Sequence, residues 1–370
     1  MSNSPRAGKP ITIAGRKVPF SFWPTSAANS RHQGQSAIFT SDPWGIILSH
    51  TKQRCPAIAR PAALAFLKQA EDNFRAATDA SIIGAKPVLL YYSFLNLAKS
   101  YILTQGLQRD LNTAQHGISE KPPVGGKEFD DALIKAHPST GARSINIFDE
   151  FHRAITGLPL TAATDFPVPE LLGQIITGHR LWCSARKERE RFIPLRSIDF
   201  IHDATSKQAW LAFELDKDDI KRSGITANEL LARTNLSNTW KEVGAPTSRR
   251  RFELIAATSY SKTAGAETAK LATHLAQHVW TTLTFVPPYR TLYLYTPPTS
   301  ASTLPQALAM YAIIFYLGSV TRYRPHVFAK ILDDSYGPAI QETISSAPRQ
   351  FLYLMASRFA QREVIQSAAI

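Results

Sequence analysis

The stretch KPVLLYYSFLNLAKSYILTQG, residues 86–106, decides the fold class of this chain. Its apolar residues form one helical stripe and continue onto the neighbouring faces, which is typical of a helix buried among other helices. Pro87 opens this helix, predicted over about 87–105, and Gly106 is a candidate C-cap. The preceding segment, about 61–80, carries a narrower amphipathic stripe. We therefore predict that the two segments form a helical hairpin with a short connection.

The pattern changes along the rest of the chain. Turn residues dominate 117–145, which predicts a surface loop with one short helix. Helical periodicity is found at 145–158, 168–182, 220–232, 264–280, 303–332 and 338–366. Short apolar or alternating runs predict strands at Phe192–Ile201, Gln208–Leu215, Arg251–Thr258 and Leu292–Tyr295. Helices at both ends with a strand-bearing region between them predict an α+β fold.

Four regions follow from these patterns. They are a basic, loosely ordered extension over 1–40, a helical region over 41–185, a mixed α/β region over 186–300, and C-terminal helices over 301–370 that pack back on the core. The sequence leaves open whether 186–300 is an independent domain or an insertion into the helical core.

Composition indicates a globular protein with an excess of positive charge. Of the 370 residues, 44% are hydrophobic and 19% charged, and the formal net charge is +13. Such an excess favours polyanionic partners, although solubility alone would also account for it. The two cysteines, Cys55 and Cys183, are far apart and form no disulfide framework, which indicates a reducing compartment.

No targeting or membrane segment is expected. The N-terminal stretch lacks the apolar core of a signal peptide. The most apolar stretch, Leu304–Val320, spans only about 17 residues and runs into a basic segment, so a core helix is the better interpretation than a membrane span. A cytoplasmic location is the prediction.

Four motifs, in this order along the chain, carry a resemblance to a known family. They are KPVLLYYS at 86–93, NLAK at 96–99, HGIS at 116–119 and SVTRYRP at 319–325. Together with Trp44 they resemble the YaaC-like family of bacterial proteins over roughly residues 41–365. That family has no settled activity, so the resemblance implies a fold more than a function.

The first motifs are also similar to the HEPN superfamily of helical domains. The resemblance implies a HEPN-like helical core, a bacterial stress, toxin–antitoxin or antiviral defence setting, and metal-independent ribonuclease activity. The superfamily's signature is an Arg followed closely by a His. Here Arg109 precedes His116 by six intervening residues, which is the long limit of the pattern. Sites of this superfamily usually form across a dimer, so the resemblance also implies a homodimer.

Arg109 and His116 are the candidate catalytic residues. An imidazole suits removal of the proton from a 2′-hydroxyl, and a guanidinium suits stabilisation of charge on the phosphorane oxygens. Only RNA carries the 2′-hydroxyl, which favours RNA over DNA. The alternative is that His116 serves the fold alone, because a His-Gly pair can cap a turn.

Other polar residues are candidates for nucleic-acid binding. Tyr92, Asn96 and Lys99 share one helix face, which either lines the cleft of His116 or faces solvent. The basic clusters are Arg249, Arg250 and Arg251, together with Arg322 and Arg324. Phosphate contact is expected for the triplet. For Arg322 and Arg324 the alternative is that they tie helix ends to neighbouring loops.

The sequence offers no cofactor or metal motif. His274 and His278 have the spacing of a metal pair, but Leu275 stands where a zinc protease needs Glu. Standard phosphate-binding loops and the G-x-S-x-G elbow are missing from the sequence. We therefore predict no cofactor and no metal.

Two functions are the main candidates, and a third, a nucleotide-sensing module, is disfavoured because the sequence has no phosphate-binding loop. The first is a nucleic-acid-binding protein of a defence system that cleaves RNA through His116 and Arg109. The second is a non-catalytic scaffold of a defence complex whose basic faces dock nucleic acid or an acidic partner protein.

Overall fold

The computed structural model describes residues 4–13, 15–23, 37–79, 82–121, 123, 128–141, 144–244, 248–282, 292–298 and 303–366. The chain forms two compact units. The strand-rich unit consists of Met1–Ser41, Arg189–Ala301 and Gln361–Ile370, and the helical unit consists of Asp42–Glu188 and Ser302–Ala360.

The elements of the described residues are numbered in chain order. The α-helices are α1 (Pro43–Arg54), α2 (Arg60–Asp79), α3 (Lys86–Thr104), α4 (Ile147–Thr156), α5 (Val168–Gly173), α6 (His179–Arg186), α7 (Lys217–Arg222), α8 (Ala227–Arg233), α9 (Thr268–Ala276), α10 (Gln306–Tyr323), α11 (Pro325–Asp333) and α12 (Gly337–Ala360). The strands are β1 (Lys9–Pro10), β2 (Thr12–Ile13), β3 (Arg16–Lys17), β4 (Ile38–Thr40), β5 (Ile118–Lys121), β6 (Leu133–Ala136), β7 (Thr164–Pro167), β8 (Phe192–Leu195), β9 (Ser197–Asp203), β10 (Gln208–Asp216), β11 (Trp240–Val243), β12 (Arg249–Leu254), β13 (Thr258–Ser259), β14 (Val279–Thr281), β15 (Leu292–Tyr295) and β16 (Val364–Gln366).

Helix α3 lies at the centre of the helical unit, because most of its side chains are apolar and buried. It packs against α2, α4, α10 and α12. Phe94 stacks on Phe351 of α12 with the ring centroids 3.8 Å apart. Gly318 allows α10 to approach closely, since a Cβ at this position would lie 3.0 Å from the carbonyl oxygen of Pro87. The predicted hairpin of α2 and α3 is confirmed, and each helix begins and ends within about two residues of the prediction.

The prediction of a surface loop over 117–145 was wrong. This segment provides β5 and β6 of an antiparallel sheet with the order β5-β6-β7. Its inward-facing residues Ile118, Ile134 and Ala136 are buried. The strands have only four residues each, so their alternation is too short to stand out between the turn-rich segments on either side.

The strand-rich unit is built on an antiparallel sheet with the order β1-β9-β10-β12-β11, and β13 pairs with β10. Aromatic residues fill its core, where Phe213 stacks on Phe252 at 4.9 Å and packs against Trp240. The region predicted as a basic extension, 1–40, contributes β1 to this sheet. Its residues Ile11 and Val18 are buried in the same core. Residues 1–3, 14 and 24–36 of that region lie outside the described residues.

The α+β class is confirmed, whereas several predicted helices were too long. The segments 168–182 and 220–232 each contain two short helices. The stretch 264–280 starts with a 3₁₀ helix at Ala264–Glu267 and ends in β14, and 338–366 ends in β16. Helical periodicity does not reveal such short interruptions. Gly224 marks one of them, because its φ of 72° is the left-handed conformation that ends a helix.

The most apolar helix, α10, is a core helix, as its sequence predicted. Nearly all of its side chains are buried within the protein. Of the helices in the described ranges, none combines the length and apolarity that a membrane crossing requires.

Candidate functional site

An open groove of about 650 Å³ lies in the helical unit beside the small sheet. A volume in this range suits a small molecule or one nucleotide of a longer chain. The groove is lined by Gln115, His116, Gly117, Ile118, Ser119, His137, Pro138, Thr140, Ser144 and Asn146. Two imidazoles, three hydroxyls and two amides therefore line a common space.

The backbone fixes the position of His116. Its carbonyl oxygen accepts a hydrogen bond of 3.1 Å from the N–H of Phe148 in the first turn of α4. Gly117 follows with a φ of 72°, and a Cβ at this position would lie 2.6 Å from the Cβ of Asn146. Only glycine fits both the conformation and the space. The His-Gly pair therefore has a structural reason that is independent of any activity.

The two ring nitrogens of His116 differ in their hydrogen bonding. The Tyr91 hydroxyl lies 2.5 Å from His116 Nδ1. Burial of the imidazole and the charges of Lys99 and Arg322 lower the pKa of His116 from its ordinary value. Burial raises the pKa of the Tyr91 phenol, so this group stays protonated. Within the described residues, Nε2 of His116 has no hydrogen-bond partner, so a neutral imidazole can exchange a proton there.

Two cations near His116 have aromatic rather than acidic partners. The Lys99 ammonium lies 4.9 Å from the ring centroid of Phe66, and burial lowers the pKa of Lys99. The Arg322 guanidinium donates to the Tyr92 hydroxyl at 2.7 Å and stacks 4.2 Å from the ring centroid of Tyr323. Neither cation forms an ion pair with a carboxylate of the described chain. Both charges are therefore available to an anionic ligand.

The polar face of α3 is not a solvent-exposed face. Asn96 is 7% exposed, and its amide donates to Oε1 of Gln69 on α2 at 3.3 Å. This bond satisfies the buried amide, as polar burial requires. Asn96 therefore lies between two helices and does not line the groove, whereas Lys99 on the same face acts electrostatically on His116.

Arg109 lies in the loop after α3 and is exposed. It does not line the groove, and no hydrogen bond joins it to His116 in the part of the chain that the structure describes. The cations that the structure brings near His116 are instead Lys99 and Arg322. The catalytic assignment of Arg109 and His116 stays a prediction.

Arg324 connects the end of α10 to the small sheet. It forms ion pairs with Glu120 of β5 and, at 3.3 Å, with Glu128. Ser319 donates a further hydrogen bond of 2.8 Å to Glu120. Arg324 thus has the structural role that the sequence analysis gave as the alternative. Its charge is already paired with the carboxylates of Glu120 and Glu128.

The Arg249–Arg251 triplet lies on β12 of the strand-rich unit, where neighbouring strands supply carboxylates. The ion pairs include Arg249 with Glu214 at 2.9 Å, Arg250 with Glu242 at 2.6 Å, and Arg251 with Glu214 at 3.2 Å and Glu253 at 3.3 Å. None of these acids lies within the triplet itself. Glu214 is on β10, Glu242 is on β11, and Glu253 follows the triplet on β12. Phosphate contact by the triplet stays a prediction, and a phosphate would have to compete with these pairs.

Sequence reasoning missed several functional candidates. Tyr91 was predicted only as part of the KPVLLYYS motif and the apolar stripe of α3, with no site role of its own. Tyr323, which is 66% exposed, was noted only within the SVTRYRP motif beside Arg322. Ser119 and His137 form a pair in the groove, with Ser119 Oγ 2.8 Å from His137 Nε2. The segment containing His137 was predicted as a loop, so the pairing of β5 with β6 that places this histidine near Ser119 was not foreseen.

No cluster of three metal-ligating side chains occurs in the described ranges.

The motifs that carried the sequence resemblance meet in the helical unit. The Tyr-Tyr pair of α3 contacts His116 through Tyr91 and Arg322 through Tyr92, and Arg324 reaches β5. The molecule is thus an α+β protein whose helical unit holds a groove with two histidines. The family described as YaaC-like protein matches residues 27–359, and the chain belongs to this family. No curated protein and no solved structure matches the chain.

Proposed function

We propose that this YaaC-like protein binds nucleic acid, preferably RNA, at the His116 surface, defined as His116, Lys99, Arg322 and Tyr323. The observation that carries the proposal is the pair of cations beside His116 without carboxylate partners in the described chain. Counterion release makes such charges the main source of affinity for phosphates. The exposed ring of Tyr323 adds a surface on which a base can stack.

We further propose that the protein cleaves RNA at this surface without a metal ion. In the tautomer that donates from Nδ1 to the Tyr91 oxygen, His116 presents a free Nε2 lone pair. This nitrogen takes the proton of the 2′-hydroxyl. Arg322 and Lys99 stabilise the negative charge that develops on the phosphorane oxygens. The pKa of His116 is lowered, so the base form predominates at neutral pH.

The wider assignment rests on the HEPN resemblance. We propose that the packing of α2, α3, α10 and α12 is a HEPN-like core and that the protein serves a bacterial stress or antiviral defence system. A homodimer would give Arg109 a role, because an exposed arginine on one copy can complete the site of another. The cytoplasm, where such a system meets RNA, is the proposed location.

Labelled single-stranded RNA incubated with the protein in EDTA tests this function. The wild type should cleave, and His116→Ala should reduce the rate by about 100-fold or more, since a general base contributes at least this much. His202→Ala, in the strand-rich unit, is the matched control and should cleave normally. Arg109→Ala and Arg322→Gln then decide which arginine serves the reaction. Absence of cleavage by the wild type would exclude the ribonuclease.

The alternative is a non-catalytic scaffold in a defence complex. It is favoured by the fixed role of His116 in the backbone turn and by the lack of contact between His116 and Arg109 in the described chain. A scaffold would bind RNA or an acidic partner protein in a salt-dependent manner and leave the RNA intact. The EDTA experiment, accompanied by a binding titration at two salt concentrations, separates the two functions.

A further inference from the structure

The groove is lined by a second histidine, His137, which lies opposite the residue next to His116. His137 follows β6, and its N–H donates to the carbonyl oxygen of Gly117 at 2.9 Å. Antiparallel pairing of β5 with β6 therefore places His137 opposite the residue next to His116. Both imidazoles line the same groove.

Each imidazole has one nitrogen held by a hydroxyl. Tyr91 holds Nδ1 of His116, and Ser119 holds Nε2 of His137 at 2.8 Å. The other nitrogen of each ring has no hydrogen-bond partner in the described part of the chain. Two fixed imidazoles with one free nitrogen each are the arrangement that a paired acid and base require.

The surroundings of the two rings differ, and this difference assigns their roles. His116 faces the charges of Lys99 and Arg322, which disfavour its protonated form. His137 instead contacts the neutral hydroxyl of Ser119, whose oxygen can accept a hydrogen bond from the imidazolium. His116 is therefore suited to begin the reaction as the base, and His137 to begin it as the acid.

We propose that His137 is a second catalytic residue, which protonates the leaving 5′-oxygen during RNA cleavage, and that Ser119 is its positioning residue. This inference rests on the proposed ribonuclease function. The 2′-oxygen forms a bond to phosphorus and its proton passes to Nε2 of His116. The bond from phosphorus to the 5′-oxygen breaks, and this oxygen takes the proton from Nδ1 of His137.

The products are a 2′,3′-cyclic phosphate and a free 5′-hydroxyl. Electrons and protons balance without an oxidant, a metal or a further reactant. His116 ends protonated and His137 neutral, and exchange with solvent water restores the starting forms. The substrate class is single-stranded RNA, because only an unpaired ribose-phosphate linkage can bend into the in-line geometry inside a groove of this size.

A substrate with sulfur in place of the leaving 5′-oxygen tests the assignment. A thiolate leaves without protonation, so such a substrate does not need an acid. His137→Ala should slow cleavage of ordinary RNA by about 100-fold and cleave the sulfur substrate at nearly the wild-type rate. His116→Ala should slow both substrates. Ser119→Ala should resemble His137→Ala with a smaller loss.

The outcomes separate this inference from the function on which it rests. If the wild type cleaves RNA and His137→Ala slows both substrates equally, or slows neither, His137 is not the acid and the inference is overturned. If the wild type cleaves neither substrate, the ribonuclease itself is excluded. His137→Asn retains a hydrogen-bonding side chain opposite Ser119 and replaces the alanine variant if that variant fails to fold.

Discussion

The Arg249–Arg251 triplet and the His116 surface are both basic, yet their charges have opposite surroundings. Each arginine of the triplet forms an ion pair with a carboxylate of its own sheet or a neighbouring strand. Lys99 and Arg322 instead rest on aromatic rings and have no carboxylate partner in the described chain. A cation that is already paired gains less from a phosphate, because the new contact replaces an old one. Lys99 and Arg322 are thus more available to a phosphate than the three arginines of the triplet.

The two regions also differ in what holds them in place. The triplet is positioned by ion pairs that include the fully buried carboxylate of Glu253. His116 is positioned by backbone hydrogen bonds and by the close approach of Gly117 to Asn146. Removal of a charge should therefore disturb the position of the triplet most. An added Cβ should disturb the position of His116 most.

The largest effect is expected for Gly117→Ala. The added Cβ combines a left-handed backbone with a contact of 2.6 Å to Asn146. Left-handed strain costs about 1–3 kcal/mol and overpacking about 1–3 kcal/mol, so the free energy of unfolding should fall by about 2–6 kcal/mol. Urea unfolding of the full chain measures it.

Gly157→Ala is the matched control for this prediction. Gly157 ends α4 with a φ of 82°, and a Cβ there would meet nothing within 4 Å. This variant carries the backbone strain alone, so its loss of stability should be clearly smaller. Equal losses would show that the contact with Asn146 does not constrain the turn.

A smaller effect is expected for Glu253→Gln in the strand-rich unit. This carboxylate is fully buried and accepts from Arg251 and from Arg6, both at 3.3 Å. Its neutralisation leaves the partly buried Arg6 guanidinium without its carboxylate and Arg251 with Glu214 alone, which should cost about 1–3 kcal/mol of unfolding free energy. Glu242→Gln, which breaks the more exposed pair with Arg250, should cost about 1 kcal/mol or less. Equal costs would mean that burial does not strengthen the triplet's pairing.

The sequence predicted the helical unit better than the site, for physical reasons. Helices α2 and α3 are long and carry strong apolar stripes, so their pattern identifies them without tertiary information. The four-residue strands β5 and β6 depend on pairing with each other, and their own pattern is too short to reveal it. The groove could not be predicted because the pairing of β5 with β6 is what brings His137 beside residues 116–119.

The same limit applies to individual charged residues. The acids that pair with the arginine triplet are distant in sequence, and Glu214 is separated from Arg251 by 37 positions. Only the register of β10 with β12 brings them together. His116 was identified through its resemblance to a known motif. Its partner Tyr91 lies in the KPVLLYYS motif, but no site role was predicted for it, because a tyrosine inside an apolar stripe looks like an ordinary core residue.

A moderate effect on RNA binding is expected for Arg322→Gln. Loss of one phosphate contact on single-stranded RNA should reduce the slope of log affinity against log salt by about 0.7. Arg250→Gln, in the triplet, should leave the slope unchanged because its charge is held by Glu242 at 2.6 Å. Filter-binding titrations over a range of salt concentrations provide both slopes. An equal reduction in the two variants would show that paired arginines also contact the RNA.

The smallest effect is on the titration of His116. Burial and the charges of Lys99 and Arg322 hold its pKa below the ordinary value of 6.5. Arg322→Gln removes one of these charges, so protonation of the imidazole becomes easier and the pKa of His116 should rise. NMR titration of the imidazole resonances measures this change. Arg109→Gln should leave the pKa where it is, and a rise in that variant would place Arg109, from the same or a second copy, beside His116.

The sign of the linked effect on stability follows from the same shift. The unfolded chain binds a proton at His116 more readily than the folded chain does, so acid favours unfolding. The contribution of His116 is fully present above the unfolded pKa of about 6.5 and is lost as the pH falls below it. In Arg322→Gln the folded and unfolded pKa values lie closer together, and the loss of stability between neutral and mildly acidic pH should shrink. A loss as large as that of the wild type would mean that burial and Lys99 set the titration of His116 and that Arg322 does not act on it.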